Sequence, residues 1–155
     1  MAGKIDARLR ELGVTLPPPA KAVANYVPFV HSGATVYIAG QLPTEAGTLK
    51  YAGKVGAAVS VEDAKRAARL CAINILSQVK AAADGDLDRV RRCIKLGGFV
   101  NAVTGFKEHP QVLNGASDLM AEVFGEPGRH ARFAVGTDSL PLDAVVEIDA
   151  IFELS

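Results

Sequence analysis

Two side chains near the C-terminus, Arg132 and Glu147, lie on separate runs of β-forming residues and carry complementary chemistry. A guanidinium is always charged and presents two parallel N–H donors that match a carboxylate, so Arg132 can fix both the position and the orientation of a small acid. A glutamate on a second strand can orient and partly deprotonate a water, or return a proton to a leaving group. The same two residue types on neighbouring strands also fit a cross-strand ion pair, and the residues alone leave both readings open. Sharper signatures are missing from the sequence, which has no phosphate-binding GxxxxGK[ST], no GxGxxG after a strand, no HExxH and no GxSxG. His31, His109 and His130 fall in separate loops with no i, i+4 partner and no cysteine nearby, and they read as surface or turn residues rather than metal ligands. Cys71 and Cys93 read as buried thiols of a reducing compartment, since neither belongs to a CxxC spacing.

The elements that must position these groups follow from periodicity. The last run alternates strictly, with Val146, Ile148, Ala150, Phe152 and Leu154 on one face and Glu147, Asp149 and Glu153 on the other. Ala131 to Val135 forms the strand before it, and Leu140-Pro-Leu-Asp143 lies in the connection. Upstream, Tyr26 to Ile38 contains two β-rich runs around His31-Ser-Gly-Ala34, a hairpin signal, followed by a Gly- and Thr-rich loop with room for one short strand. Ser60 and Asp63 form a capping-box start for a six-turn helix whose apolar stripe includes Ala64, Ala68, Cys71, Ile75 and Val79. Arg92 to Val103 returns to a β pattern, in which Gly97-Gly98 suggests a bulge or a close approach. A second helix is expected from about Pro110 to Phe124. Two helices cover one face of a mixed or antiparallel sheet, so the fold class is α+β and the other face needs solvent or a partner subunit.

Composition agrees and excludes several function classes. The 155 residues fit one domain, preceded by a helix over Lys4 to Leu12 and a Pro-rich connector, Leu16-Pro-Pro-Pro-Ala20; residues 1–20 therefore read as an appendage to a single domain over 21–155. Seventeen basic and seventeen acidic side chains cancel, and aromatic residues make up only 6% of the chain, which argues against a nucleic-acid or anionic-membrane surface. Neither a signal peptide nor a membrane-spanning run is recognisable, and the expected location is cytoplasmic.

The segment from His130 to Ile148, with an Arg in a short strand, a Leu-Pro connector and an apolar-Glu-Ile strand, resembles the signature of the reactive-intermediate deaminase family, also called YjgF-type or L-PSP endoribonuclease. Ile38-Ala-Gly-Gln-Leu-Pro43 resembles that family's apolar-Ser-Gly-Gln-apolar-Pro turn, and Tyr26 and Asn114 match a pocket tyrosine and an asparagine of the family. The resemblance covers about residues 22 to 154 and implies a chorismate-mutase-like homotrimer with ligand clefts between subunits. It implies that Arg132 and Glu147 are the active-site pair and that Tyr26, Gly40 and Asn114 help bind substrate. The implied reaction is hydrolysis of an enamine or imine, such as 2-iminopropanoate or 2-iminobutanoate, to the 2-oxo acid and ammonium, with no metal or organic cofactor. Ala39, His130 and Ala134 depart from the family's usual Ser, Pro or Ala, and Cys, and the loop from Gly125 to Arg129 is slightly longer. Taken singly, Tyr26 also fits a core or interface aromatic, Asn114 a helix N-cap, and Gly40 with Gln41 a plain turn. Two other functions fit the same residues: a non-catalytic trimer that binds a small carboxylate as a sensor, and RNA cleavage, against which charge and aromatic content weigh.

Overall fold

A computed structural model describes residues 3–155. After helix α1 (Lys4–Glu11) come the hairpin β1 (Phe29–Ser32) and β2 (Thr35–Gln41), a minor hairpin β3 (Thr44–Glu45) and β4 (Thr48–Leu49), helix α2 (Val61–Ala82), β5 (Val90–Asn101), helix α3 (His109–Phe124), β6 (Ala131–Thr137) and β7 (Val146–Leu154). The main sheet runs β1-β2-β7-β5-β6, antiparallel except for the parallel pair β5 and β6, which α3 connects. The expected α+β class with a mixed sheet is therefore what forms, and the Gly- and Thr-rich loop contains a two-stranded hairpin where one short strand was expected.

Alternation decides which side chains meet the helices. The apolar set Val146, Ile148, Ala150 and Phe152 of β7 is buried, together with Leu96 and Val100 of β5 and Val36 and Ile38 of β2. The α2 stripe through Ala64, Ala68, Cys71, Ile75 and Val79 packs onto that layer, and Val112, Ala116, Leu119 and Met120 of α3 complete it. Ser60 accepts a hydrogen bond from the Asp63 amide at 3.1 Å, the capping contact expected at that position. The other sheet face remains open, with Val30, Tyr37, Phe99 and Val135 each 42–52% exposed.

Gly97 and Gly98 permit close approach, and no bulge lies there. A Cβ on Gly97 would stand 2.4 Å from an Asp149 carboxylate oxygen, and one on Gly98 would stand 2.3 Å from Leu113 Cδ1. The register of β5 shifts earlier, between Val90 and Arg92 and between Cys93 and Lys95.

The N-terminal segment packs onto the rest of the chain; its first two residues lie outside those described. Leu9 is buried in the common core. The Lys4 and Ile5 amides donate to the Asp88 carboxylate at 2.9 and 2.8 Å, which supplies the N-terminal cap that Gly3 lacks. The Pro-rich connector is irregular, as three consecutive prolines require, and α2 straps it down: Ser77 Oγ donates to the Pro17 carbonyl and Gln78 Nε2 to that of Ala20, both at 2.8 Å.

Candidate functional site

Arg132 and Glu147 are not on neighbouring strands, because β5 lies between β6 and β7. Register places them on opposite faces. Arg132 pairs with Leu96, which pairs with Ala150, both buried under the helices; Glu147 pairs with Phe99, which pairs with Val135, both on the open face. No ion pair joins the two among the described residues, so the cross-strand salt-bridge reading fails. The chain thus carries two candidate half-sites.

The first half-site lies on the sheet edge against α3. Arg132 Nη1 donates to Asn114 Oδ1 at 2.9 Å and to Ser117 Oγ at 3.1 Å. Asn114 and Ser117, three residues apart, share one face of α3. Asn114 lies well inside that helix, whose N-cap is Glu108, so it is not the N-cap. All protein acceptors found for Arg132 sit on Nη1, which leaves Nε–H and Nη2–H, the parallel pair of the fork, without a protein partner among the described residues. His130, two residues earlier on the same face of the chain, is half-buried and bonded to Ser117 Oγ at 2.8 Å and to the Gly128 carbonyl at 2.7 Å. It is therefore no free surface histidine. Burial lowers its pKa, with the Arg132 charge adding to the effect against the opposing Gly128 bond. His109 and His31 instead pack edge-on against Phe106 and Phe29.

The second half-site is built on a bulge. Ile38 pairs with Ala150 and Gln41 with Ile148, so Ala39 and Gly40 together face the single residue Asp149. The segment expected as a turn is thus the irregular end of β2, which turns the Gln41 side chain inward to donate to the Ala39 carbonyl at 3.0 Å. Glu147 lies over the bulge: a Cβ on Gly40 would stand 2.6 Å from Glu147 Oε2, so only glycine admits the carboxylate here. Partial burial, and secondarily the charge of Asp149, raise the Glu147 pKa. Tyr26, 55% exposed, lines a cavity of about 160 Å³ with Ala39, Gly40, Gln41, Thr44 and Gln78. Tyr26 and Gly40 thus line one cavity and Glu147 overlies Gly40, whereas Arg132 is bonded to Asn114.

A larger cavity, about 720 Å³, lies between α1 and the end of α3. Its polar groups bond to one another, Asp88 to the α1 amides and Arg8 to the Glu122 carbonyl and to Glu11, which leaves few converging on empty space. Among the described residues no group of three or more His, Cys, Asp or Glu side chains could hold a metal, and no helix is long and apolar enough to cross a membrane.

Comparison with known proteins agrees with this fold. The family model described as "YjgF/chorismate_mutase-like, putative endoribonuclease" matches residues 6–154. The chain belongs to this YjgF family. The match begins inside α1 and takes in the connector, further upstream than the motifs alone reach. Protein TCP17 of Trypanosoma cruzi is 47% identical over 99% of this chain and 96% of its own length. Among solved structures, the protein Atu1372 of unknown function from Agrobacterium tumefaciens is 58% identical, with a TM-score of 0.92 over 97% of this chain and 92% of that one. A protein from Shewanella oneidensis described as a "putative endoribonuclease" is 36% identical, with a TM-score of 0.94 over 98% and 100% of the two chains. The mixed sheet backed by helices matches the YjgF fold.

Ser117 and His130 were not identified from sequence as site residues. The signal for Ser117 was its three-residue step from Asn114 on one helix; that for His130 was its departure from the family pattern on the Arg132 side of the strand.

Proposed function

We propose that this YjgF-family protein hydrolyses small imino acids, such as 2-iminopropanoate and 2-iminobutanoate, to 2-oxo acids and ammonium. The observation that carries the reading is the state of Arg132: Nη1 is held by Asn114 and Ser117, while Nε–H and Nη2–H have no protein partner among the described residues and form a carboxylate fork. The two half-sites come together between subunits of a homotrimer, Arg132 and Asn114 from one copy and Tyr26, Gly40 and Glu147 from the next. The exposed Val30, Tyr37, Phe99 and Val135 support burial of the open face in such an assembly.

Arg132 holds the substrate carboxylate, and a water attacks the imine carbon as Glu147 takes one of its protons. From the protonated imine this gives a neutral carbinolamine; Glu147 returns its proton to the nitrogen, the C–N bond breaks as the carbinol C–O becomes the 2-oxo C=O, and the departing ammonia takes up the hydroxyl proton to leave as ammonium. A carboxyl held above its ordinary range suits both transfers near neutral pH. No cofactor enters this scheme. A cytoplasmic setting goes with it, supported by two buried, unpaired thiols. The crystal structure of Escherichia coli TdcF with bound serine, 24% identical with a TM-score of 0.62, supports small-molecule binding on this fold.

The test generates 2-iminobutanoate in situ and traps surviving imine with semicarbazide. Faster imine loss with the wild type and not with Arg132→Ala supports the hydrolase. Binding of 2-oxobutanoate without any turnover would instead favour a carboxylate-sensing module, which the same fork supports. RNA cleavage, suggested by the description of the family, has less behind it, because Glu147 and Asp149 share the open face and would repel a phosphate backbone. Degradation of RNA by nuclease-free protein, lost in Arg132→Ala, would revive it.

A further inference from the structure

Beside the guanidinium, a chain of hydrogen bonds runs Arg132 Nη1 to Ser117 Oγ, Ser117 to His130 Nε2, and His130 Nδ1 to the Gly128 carbonyl, with separations of 3.1, 2.8 and 2.7 Å. Its polarity follows from what each end can do. The Gly128 carbonyl only accepts, so Nδ1 carries the imidazole proton. Burial and the neighbouring Arg132 disfavour a second proton, so Nε2 is a bare acceptor. Ser117 has one hydroxyl hydrogen, which therefore goes to Nε2, and its oxygen lone pairs face Arg132. An imidazolium would instead set two cationic donors on one hydroxyl oxygen. The far end is rigid: Gly128 is buried, and a Cβ there would stand 2.0 Å from the Met120 carbonyl oxygen, so the turn carrying it is clamped on α3, the helix that also bears Asn114 and Ser117.

We infer that Ser117 and neutral, Nδ1-protonated His130 form a positioning relay that locks Nη1 of Arg132 and thereby presents its Nε/Nη2 fork to a substrate carboxylate. This rests on the reading of Arg132 as the carboxylate anchor and adds two positioning residues to it. Holding a long side chain before the ligand arrives spares the ordering cost that binding would otherwise carry, on the order of 0.5–1.5 kcal/mol for one such side chain, or about two- to tenfold in affinity.

The experiment measures 2-oxobutanoate binding by calorimetry to wild type, Ser117→Ala, His130→Phe and the double variant. The relay predicts a two- to tenfold weaker Kd in each single variant and a double variant no weaker than Ser117→Ala, since either change cuts the same chain. Additive losses, or none, overturn it. Two-bond ¹⁵N–¹H correlation on the wild type, which needs no variant to fold, should show His130 protonated on Nδ1 alone at pH 7; the other tautomer or an imidazolium overturns the proposal. If the wild type binds no 2-oxobutanoate, the anchor reading fails by itself. The relay is then judged by exchange of the Arg132 guanidinium protons: slow in wild type and fast in both single variants supports it, and equal rates overturn it.

Discussion

The two half-sites solve different problems. Around Arg132 the protein has supplied every fixed partner: a helix face with Asn114 and Ser117, a histidine behind the serine, and a buried turn behind the histidine. Around Glu147 it has removed material, with a bulge and a glycine making room for a half-buried carboxyl to which no hydrogen-bond donor comes from the described residues. A group that holds a ligand benefits from being fixed in advance, whereas a group that moves protons benefits from a raised pKa, and a strong donor would lower it. On the proposed reading one half binds the substrate and the other transfers protons, and kinetics can separate them.

The largest effect belongs to the anchor. Arg132→Ala should lower kcat/KM for 2-iminobutanoate by about a hundredfold or more, mostly through KM, because it removes a bidentate charged contact. Arg132→Lys should recover little, since an ammonium is a point charge without the fork. A kcat loss at unchanged KM would show instead that Arg132 belongs to the chemical step. Glu147→Gln should do the opposite, lowering kcat by roughly a hundredfold with KM held within a few-fold, because the amide keeps the shape and cannot carry the proton. If both variants fall in the same parameter, the division of labour between the half-sites is wrong.

Gly40→Ala tests the second half-site by sterics. Its Cβ would stand 2.6 Å from Glu147 Oε2, and Gly40 does not need a left-handed backbone, so the added methyl group displaces the carboxyl without straining the chain. We expect kcat to fall roughly tenfold with binding of 2-oxobutanoate retained, a misplacement effect at the proton-transferring group. Unchanged kcat would mean that the place of Glu147 over the bulge does not matter.

The same contrast explains how much could be read from the sequence. The helices, the final strand and its buried alternation were legible because period 3.6 and period 2 report burial directly, as Ile75 and Val79 on α2 and Ile148 and Phe152 on β7 illustrate. The choice of Arg132, Glu147, Tyr26, Gly40 and Asn114 rests on family pattern, which does not say which of them meet within one chain. Strand order decides that: β5 precedes β6 in the chain and yet inserts between β6 and β7, so strands adjacent in sequence are separated in space. The bulge at Ala39 and Gly40 was hidden for a similar reason, since a glycine next to a glutamine reads equally as a turn or as a strand end until the partner strand is known. His130 looked idle because its two bonds go to a backbone carbonyl and a serine, neither of which marks a site by type.

The smallest effect concerns stability, and its sign distinguishes the halves again. Burial and Asp149 raise the Glu147 pKa, so the folded protein holds this proton more tightly than the unfolded chain does. Stability from this group is therefore highest in acid; it declines as pH rises from the unfolded carboxyl value, about 4.3, through the folded one, and above that the full penalty applies. Glu147→Gln has no charge to bury and escapes the penalty. Its Tm should exceed that of the wild type by about 2 °C at pH 7.5 and converge with it near pH 4, measured at fixed protein concentration so that assembly does not shift the midpoint. An inactive variant more stable than its parent at neutral pH is what a proton-transferring residue held in an unfavourable setting produces. Arg132→Ala should show no such gain, because its Nη1 is bonded to Asn114 and Ser117, and removing it strands both acceptors. Equal Tm values for wild type and Glu147→Gln from pH 4 to 8 would mean that the carboxylate bears no burial penalty, and the case for Glu147 as the proton-transferring half would lose its physical basis.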